Sequence, residues 1–292
     1  WFLKKRKHQM ELFLKYPNDV QQELLFKLLN KAKYTEIGKQ FDFFNIVTYQ
    51  DFNKKVPIKQ YESIEHLIER TRKGEQNVFW PTPIKWFAKS SGTTNSKSKF
   101  IPVSDEALED CHFKAGKDML CLYFNNNDAA QLFTGKGLRL GGSSAVYEDN
   151  NSYFGDLSAI IIENMPFWAD FSSAPKQEIA LMSEWESKMK AIIDETINED
   201  ITSLVGVPSW MLVLLIPKRD FKYYETYNAS EGFFAIQDQN NSFDLLLMLD
   251  YGIFYEFIPM ESFNGENSEA IPLSQVELHK NYALVITTNG GL

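Results

Sequence analysis

Two short apolar runs, Ile84-Lys85-Trp86-Phe87-Ala88 and Phe100-Ile101-Pro102-Val103, bracket the polar stretch Lys89-Ser90-Ser91-Gly92-Thr93-Thr94-Asn95-Ser96-Lys97-Ser98-Lys99. Both runs read as strands, so the polar stretch is a tight loop between strands and not a spacer between domains. A loop of hydroxyls and a glycine that ends in lysine suits a polyphosphate. Gly92 lets the backbone approach closely, the hydroxyls and freed amides donate to phosphate oxygens, and Lys99 supplies a point charge. It is not a Walker A loop, because no glycine precedes a Lys-Ser or Lys-Thr pair at the required spacing. A Ser/Thr-rich surface turn is the alternative reading.

Elsewhere the chain alternates helical and strand periods. Residues 2 to about 33 predict helix, interrupted near Tyr16-Pro17, with Asn18 as N-cap and Val20, Leu24, Leu25, Leu28 and Leu29 on one apolar face. The basic cluster Lys4 to Lys7 reads as a solvated helix end. Glu62 to Arg72 is a second helix, closed by Lys73-Gly74-Glu75. Ser104 caps a long helix with Asp105 and Glu106 in its first turn, where the dipole favours carboxylates, and the helix ends near Phe124. Gly137 to Gly142 is a strand ending in a turn, and Ser158 to Met165 a buried element. Ser183-Glu184-Trp185-Glu186 is a capping-box pattern opening a helix to about Asn198, with Trp185, Met189, Ile192 and Ile193 on one face.

Ile201 to Trp210 reads as a strand turning into a helix, a place where α/β proteins put ligands. In the last third, Gly232 to Gln237, Leu245 to Asp250, Ile253 to Ile258 and Tyr282 to Thr288 are strands, with Asp250-Tyr251-Gly252 as a hairpin turn. The fold class expected is α/β, with layered mixed sheets, flanking helices and a strand-rich C-terminal third. No internal repeat or low-complexity linker marks a boundary, so residues 1–292 are read as one large domain.

Composition narrows the function classes. The 292 residues are 44% hydrophobic and 24% charged, enough for a sizeable core. A net charge of −9 argues against a broad nucleic-acid footprint, and an anionic nucleotide needs a local positive site such as a lysine-bearing loop. No apolar run approaches the roughly 18 residues of a membrane span. Cys111 and Cys121, ten apart on one helix, are too distant to bridge and read as buried thiols of a reduced, cytoplasmic protein. The four histidines show no metal-ligand spacing. Cys111 and His112 are adjacent but point about 100° apart on a helix, which excludes a thiolate–imidazole pair. Ser209 sits in Gly-Val-Pro-Ser-Trp rather than in a hydrolase elbow. The basic start, without an initiator Met or an apolar region behind it, is not a signal peptide, and the true N-terminus is expected a few residues upstream.

Ser-Ser-Gly-Thr-Thr followed by a lysine resembles the phosphate loop of acyl-adenylate-forming enzymes. Glu225-Thr226-Tyr227-Asn228-Ala229-Ser230-Glu231-Gly232-Phe233-Phe234 is similar to that superfamily's second nucleotide motif. With Trp-Phe-Ala-Lys directly before the loop, the pair resembles the auxin-responsive (Gretchen Hagen) family of acyl-acid amido synthetases, in its bacterial branch. The likeness extends from Tyr34-Thr35-Glu36-Ile37-Gly38 through Gly155-Asp156-Leu157-Ser158 to Tyr251-Gly252-Ile253-Phe254-Tyr255-Glu256-Phe257.

That resemblance implies an ATP- and Mg²⁺-dependent ligase that adenylates a small carboxylic acid and then passes the acyl group to an amine or amino acid. Ser90, Ser91, Gly92, Thr93, Thr94 and Lys99 would hold the β- and γ-phosphates. Glu231 would hold Mg²⁺, and Tyr227, Asn228, Ala229 and Ser230 would lie along adenine, ribose and α-phosphate. Val207, Pro208 and Trp210 are candidates for the acyl pocket, with a packed core as their other reading. Two departures stand out. Family members carry several tens of residues between the Val-Pro-Ser-Trp helix and the Tyr-x-x-Ser-Glu motif, where this chain has a short connection. The family's ribose aspartate and mobile C-terminal domain with its catalytic lysine would also follow Leu292. The expectation is a truncated N-terminal domain, inactive or nearly so by itself. A non-catalytic nucleotide- or metabolite-binding module on the same scaffold is the competing reading, and a purely structural α/β protein requires both motifs to be coincidences.

Overall fold

Tyr16-Pro17 sets the start of the fold. In the computed structural model, which describes residues 2–90, 98–142, 147–149, 152–206, 211, 224–265 and 268–290, helix α1 (Phe2–Lys15) stops there and α2 (Pro17–Ala32) begins. Proline has no amide hydrogen to lose in a first turn, so Pro17 takes N1 and Tyr16 the cap, two residues ahead of the expected Asn18. Leu25, Leu28 and Leu29 of α2 are buried as the apolar stripe requires. They pack with Phe52, Leu67, Ile68, Phe79, Trp80, Phe87 and Phe254 into one core cluster. These residues come from α4 (Tyr49–Lys55), α5 (Tyr61–Arg72), the segment behind α5, β1 (Trp86–Ser90) and β11 (Ile253–Pro259). The short α3 (Glu36–Gln40) is capped by Thr35. Gly74, with φ +97°, closes α5 as the glycine stop predicted.

After β2 (Lys99–Val103), Ser104 accepts from the Ala107 amide and opens α6 (Asp105–Ala107), a π-helical stretch Leu108–Phe113, and α7 (Lys114–Asn126). Then follow β3 (Lys136–Leu140), β4 (Tyr147–Asp149), β5 (Ser152–Gly155), α8 (Leu157–Glu163), α9 (Phe167–Phe171), β6 (Ser173–Ala174), α10 (Gln177–Ala180), α11 (Trp185–Thr196) and β7 (Ile201–Gly206). The buried run from Ser158 is therefore mostly helix α8. Its Ala159, Ile160 and Ile162 are buried, and Ile160 packs with Ala88, Ile101 and Val103 of β1 and β2. Helix α11 is capped by Glu184, whose carboxylate accepts from the Glu186 and Ser187 amides, and not by Ser183. Met189 and Ile192 of α11 are buried, but Ile193, expected beside them, is exposed.

The strands form four small sheets among the described residues: β2-β1-β5-β4; parallel β6-β3-β7; β10-β9-β8; and β12-β11-β13. The last two are built from β8 (Thr226–Ala229), β9 (Gly232–Ile236), β10 (Leu246–Leu247), β12 (Ile271–Pro272), β13 (Tyr282–Thr288) and β11. This corrects the hairpin expected around Asp250-Tyr251-Gly252. β10 pairs with β9, while β11 pairs with β12 and β13, so the turn is a crossover between two sheets. Layered mixed sheets with flanking helices and a strand-rich last third are the architecture expected of the sequence.

Two polar clusters pin the core. Arg6, read from sequence as part of a solvated basic end, is 3% exposed and bridges Asp118 and Asp250. On β11, Glu256 is buried and accepts from the Tyr49 hydroxyl at 2.8 Å. Burial pushes the Glu256 carboxyl above its ordinary 4.5, and the Tyr49 bond pulls it only part of the way back. A raised folded value means the folded chain keeps a proton that the unfolded chain has lost. The contribution is therefore complete below about pH 4.5 and declines as pH rises through the folded value. Glu256→Gln keeps an acceptor for Tyr49 without the charge. Its unfolding free energy in urea is expected to fall less than the wild type's between pH 5 and 8, because the charge that burial penalises is gone.

Candidate functional site

The hydroxyl loop has the expected stem. β1 and β2 pair antiparallel from Trp86↔Val103 to Ser90↔Lys99, so Ser90 and Lys99 face each other where the loop departs. Ser91, Gly92, Thr93 and Thr94 lie outside the described residues, as do Val207, Pro208 and Trp210 of the proposed acyl pocket. β1 also pairs in parallel with β5, which places the stem inside a sheet rather than on a free hairpin.

At the stem, the Lys99 ammonium lies 2.8 Å from Glu62 Oε1 and 4.9 Å from the centre of the Tyr61 ring, both at the start of α5. Lys99 holds the Glu62 carboxyl below its ordinary range. The Tyr61 hydroxyl accepts from the Phe100 amide at 2.9 Å and donates to the Phe100 carbonyl at 3.4 Å, which fixes the ring against the edge strand. A cleft of about 350 Å³ opens here, lined by Tyr61, Glu65, Ile68, Glu69, Lys89, Ser98 and Phe100. Sequence reading missed Tyr61 and Glu62, since nothing local pairs residues 62 and 99.

The second motif is a β-hairpin. Tyr227, Asn228 and Ala229 lie on β8, Ser230 and Glu231 form the turn, and Gly232 starts β9. The β8 half was not foreseen, because Tyr-Asn-Ala-Ser carries no apolar alternation. Tyr227 is 54% exposed, with its ring 5.2 Å from that of Phe234, so one face remains open for stacking. Glu231 is half-buried and has no ion pair or hydrogen bond among the described residues. That leaves a hard oxygen ligand uncommitted. No cluster of three or more His, Cys, Asp or Glu able to hold a metal occurs among the described residues. A Mg²⁺ ion here would have to complete its shell with phosphate oxygens and water, as such ions ordinarily do.

Two further contacts link the strands that carry the motifs. A methyl group on Gly232 would sit 2.6 Å from Ile253 Cδ1, so the missing side chain lets the hairpin close on β11. Ile253 pairs with Thr288 at the end of β13, and two residues on, a methyl on Gly290 would sit 2.7 Å from the Pro102 carbonyl. Pro102 lies three residues along β2 from Lys99, about 10 Å at strand rise. The helix that follows β2 completes the tie. Cys111 Sγ accepts from the Phe233 amide at 3.2 Å, two residues beyond Glu231. Burial pushes the Cys111 thiol up to about 12 and the His112 imidazole down to about 4, so both are neutral and neither is a poised nucleophile or base.

The small mixed sheets and helical layers, with a hydroxyl-loop stem and a Ser-Glu hairpin linked through β11 and β13, form a scaffold that has solved counterparts. It superposes on the AtGH3.15 acyl acid amido synthetase in complex with 2,4-DB with a TM-score of 0.72, at 16% identity over 94% of this chain and 63% of that one. The profile of the GH3 family N-terminal domain matches residues 6–220 and that of the GH3 family central domain residues 246–292, so the chain belongs to the GH3 family. Indole-3-acetic acid-amido synthetase GH3.2 of Arabidopsis thaliana is 32% identical over 101 residues, 34% of this chain and 18% of that protein. Jasmonoyl-L-amino acid synthetase JAR6 of Nicotiana attenuata is 31% identical over 102 residues, 35% of this chain and 18% of that protein. The chain thus spans less than two thirds of these relatives' length.

Proposed function

We propose that this chain is the nucleotide-binding part of an ATP-dependent acyl-acid amido synthetase. It would take ATP at the β1–β2 loop and the β8–β9 hairpin, a small carboxylic acid as the group to be activated, and an amine or amino acid as acceptor. The observation that carries this is the junction of the two motifs through Gly232, Ile253, Thr288, Gly290 and Pro102, on the scaffold of a family whose relatives are named as amido synthetases. Membership of the family's bacterial branch, read from the sequence motifs, is part of this proposal.

In the reaction, the acid's carboxylate attacks the α-phosphorus of ATP, and the bond to the bridging oxygen breaks to release pyrophosphate. The amine then attacks the acyl carbon and releases AMP. Catalysis of the first step is chiefly positioning and neutralisation of charge. Ser90 and the loop hydroxyls would donate to the β- and γ-phosphates, and Lys99 would offset the charge that builds on the leaving pyrophosphate. Tyr227 would stack on the adenine, with Asn228 to Ser230 along the ribose and α-phosphate. Glu231 would hold Mg²⁺, which when bound supplies further neutralisation of the phosphate oxygens.

Calorimetric titration of ATP with Mg²⁺ into the chain, beside Lys99→Ala and Glu231→Ala, tests the site. Each substitution is expected to weaken binding by tenfold or more, the cost of about 1.5–3 kcal/mol for a charge-assisted contact. Binding that is the same in all three proteins would refute this assignment.

A further inference from the structure

The Lys99 contacts suggest control of the site as well as its composition. We propose that Glu62 and Tyr61 form a displaceable latch that holds the Lys99 ammonium at the loop stem until a polyphosphate takes it. This rests on reading the loop as a phosphate site and adds to it a competitor built into the protein.

The two halves of the latch differ in stiffness. Tyr61 is bonded through its hydroxyl to both backbone groups of Phe100, so its ring is a fixed platform beside the lysine. Glu62 is the opposite: its side chain is 59% exposed, against 31% for Lys99. An exposed pair of this kind is worth little and is screened by salt. That weakness suits a contact meant to be exchanged. Other cations of the fold show the contrast. Arg6 makes four hydrogen bonds of 2.6–2.9 Å to the carboxylates of Asp118 and Asp250, and Lys114 caps Asp250 from a second side. No ligand could readily take Arg6 away, whereas a group carrying several negative charges can outbid a single solvated carboxylate for Lys99.

Because the lysine cannot serve both anions fully, Glu62 and the ligand compete, and the competition is reciprocal. A nucleoside triphosphate displaces Glu62. A nucleoside monophosphate, with fewer charges and no β- or γ-phosphate to reach the stem, leaves the latch closed. Glu62 thereby lowers the affinity for the triphosphate while leaving that for the nucleotide product as it is, so the latch narrows the gap between the two.

The test is a double-mutant cycle on the full chain, with ATP–Mg²⁺ and AMP titrated into the parent, Glu62→Gln, Lys99→Ala and the double variant. Glu62→Gln is expected to tighten ATP by about two- to fivefold, the range for an exposed pair, with AMP unchanged. In the Lys99→Ala background the same substitution should change nothing. Tightening of equal size in both backgrounds would reduce Glu62 to a general negative charge and overturn the latch, as would no tightening at all. A parent that takes no ATP, or whose affinity Lys99→Ala leaves unaltered, overturns the phosphate reading of the loop first and the latch with it.

Discussion

Arg6→Met should destabilise the chain by about 3–5 kcal/mol, the scale for leaving a buried charge without its partner. Asp118 is fully buried, and its two oxygens accept from Arg6 Nε at 2.7 Å and Nη2 at 2.6 Å. Methionine fills the aliphatic volume but returns no donor, so Asp118 keeps only the Tyr251 hydroxyl at 2.7 Å among the bonds described. Burial by itself would raise the Asp250 carboxyl, yet the Arg6 and Lys114 contacts hold it below its ordinary 3.8. A depressed folded value gives stability that is present above the unfolded value and lost as pH falls through the folded one. The variant should accordingly show a smaller rise in stability from strong acid to about pH 4. Urea unfolding at pH 7 and pH 3 reads both effects. Adding Asp118→Asn should recover part of the loss, since the orphaned charge is then gone. A loss below about 1 kcal/mol would show that the cluster is solvated, as the run Lys4 to Lys7 alone suggests.

That example marks where the sequence stopped being informative. Features set by neighbours in the chain were legible: the two strands around the hydroxyl loop, the Ser104 cap, the Gly74 stop, and the buried face of α2. Each follows from a local rule of capping, periodicity or turn geometry. Arg6 was not legible, because its partners lie 112 and 244 residues away and a basic run at a helix end ordinarily faces water. The Asp250–Gly252 turn was misassigned for a related reason. Two strand-length runs with a glycine between them satisfy the hairpin pattern, and only long-range pairing to β9 and β13 shows that they part company. For the candidate site, the sequence offered the two motifs and their order as candidates, and the described residues place the stem Ser90–Lys99 and the hairpin Tyr227–Gly232. The Glu62–Lys99 contact and the strand end that joins the motifs were not legible, since both come from packing between elements far apart in sequence.

Gln21→Leu should cost about 3 kcal/mol and do so through the same crossover that separates the motif hairpin from β11. Leucine suits the position by sequence: it continues the apolar stripe of α2 beside Leu25 and Leu28, and pattern alone would rate it an improvement. The bonds say otherwise. Gln21 is buried, and its amide nitrogen donates to the carbonyls of Leu249 at 2.8 Å and Ile253 at 3.1 Å. Its oxygen accepts from the Tyr255 amide at 2.8 Å. Three backbone groups on both sides of the crossover therefore have one side chain as partner, because a chain leaving one sheet for another has no ladder to satisfy them there. Each group left unmet inside the protein costs roughly 1–3 kcal/mol, which outweighs the gain of about 1 kcal/mol from added apolar burial. The expected signature is a lower urea midpoint together with faster hydrogen exchange at the Tyr255 amide. Gln21→Glu separates the two sides of the argument: it keeps the acceptor for Tyr255 but replaces the donating nitrogen by an oxygen that faces both carbonyls, so Tyr255 should stay protected while stability still falls. If Gln21→Leu is as stable as the wild type, the crossover is not held from α2. The link between the two motif strands would then rest on the Gly232 and Gly290 contacts alone.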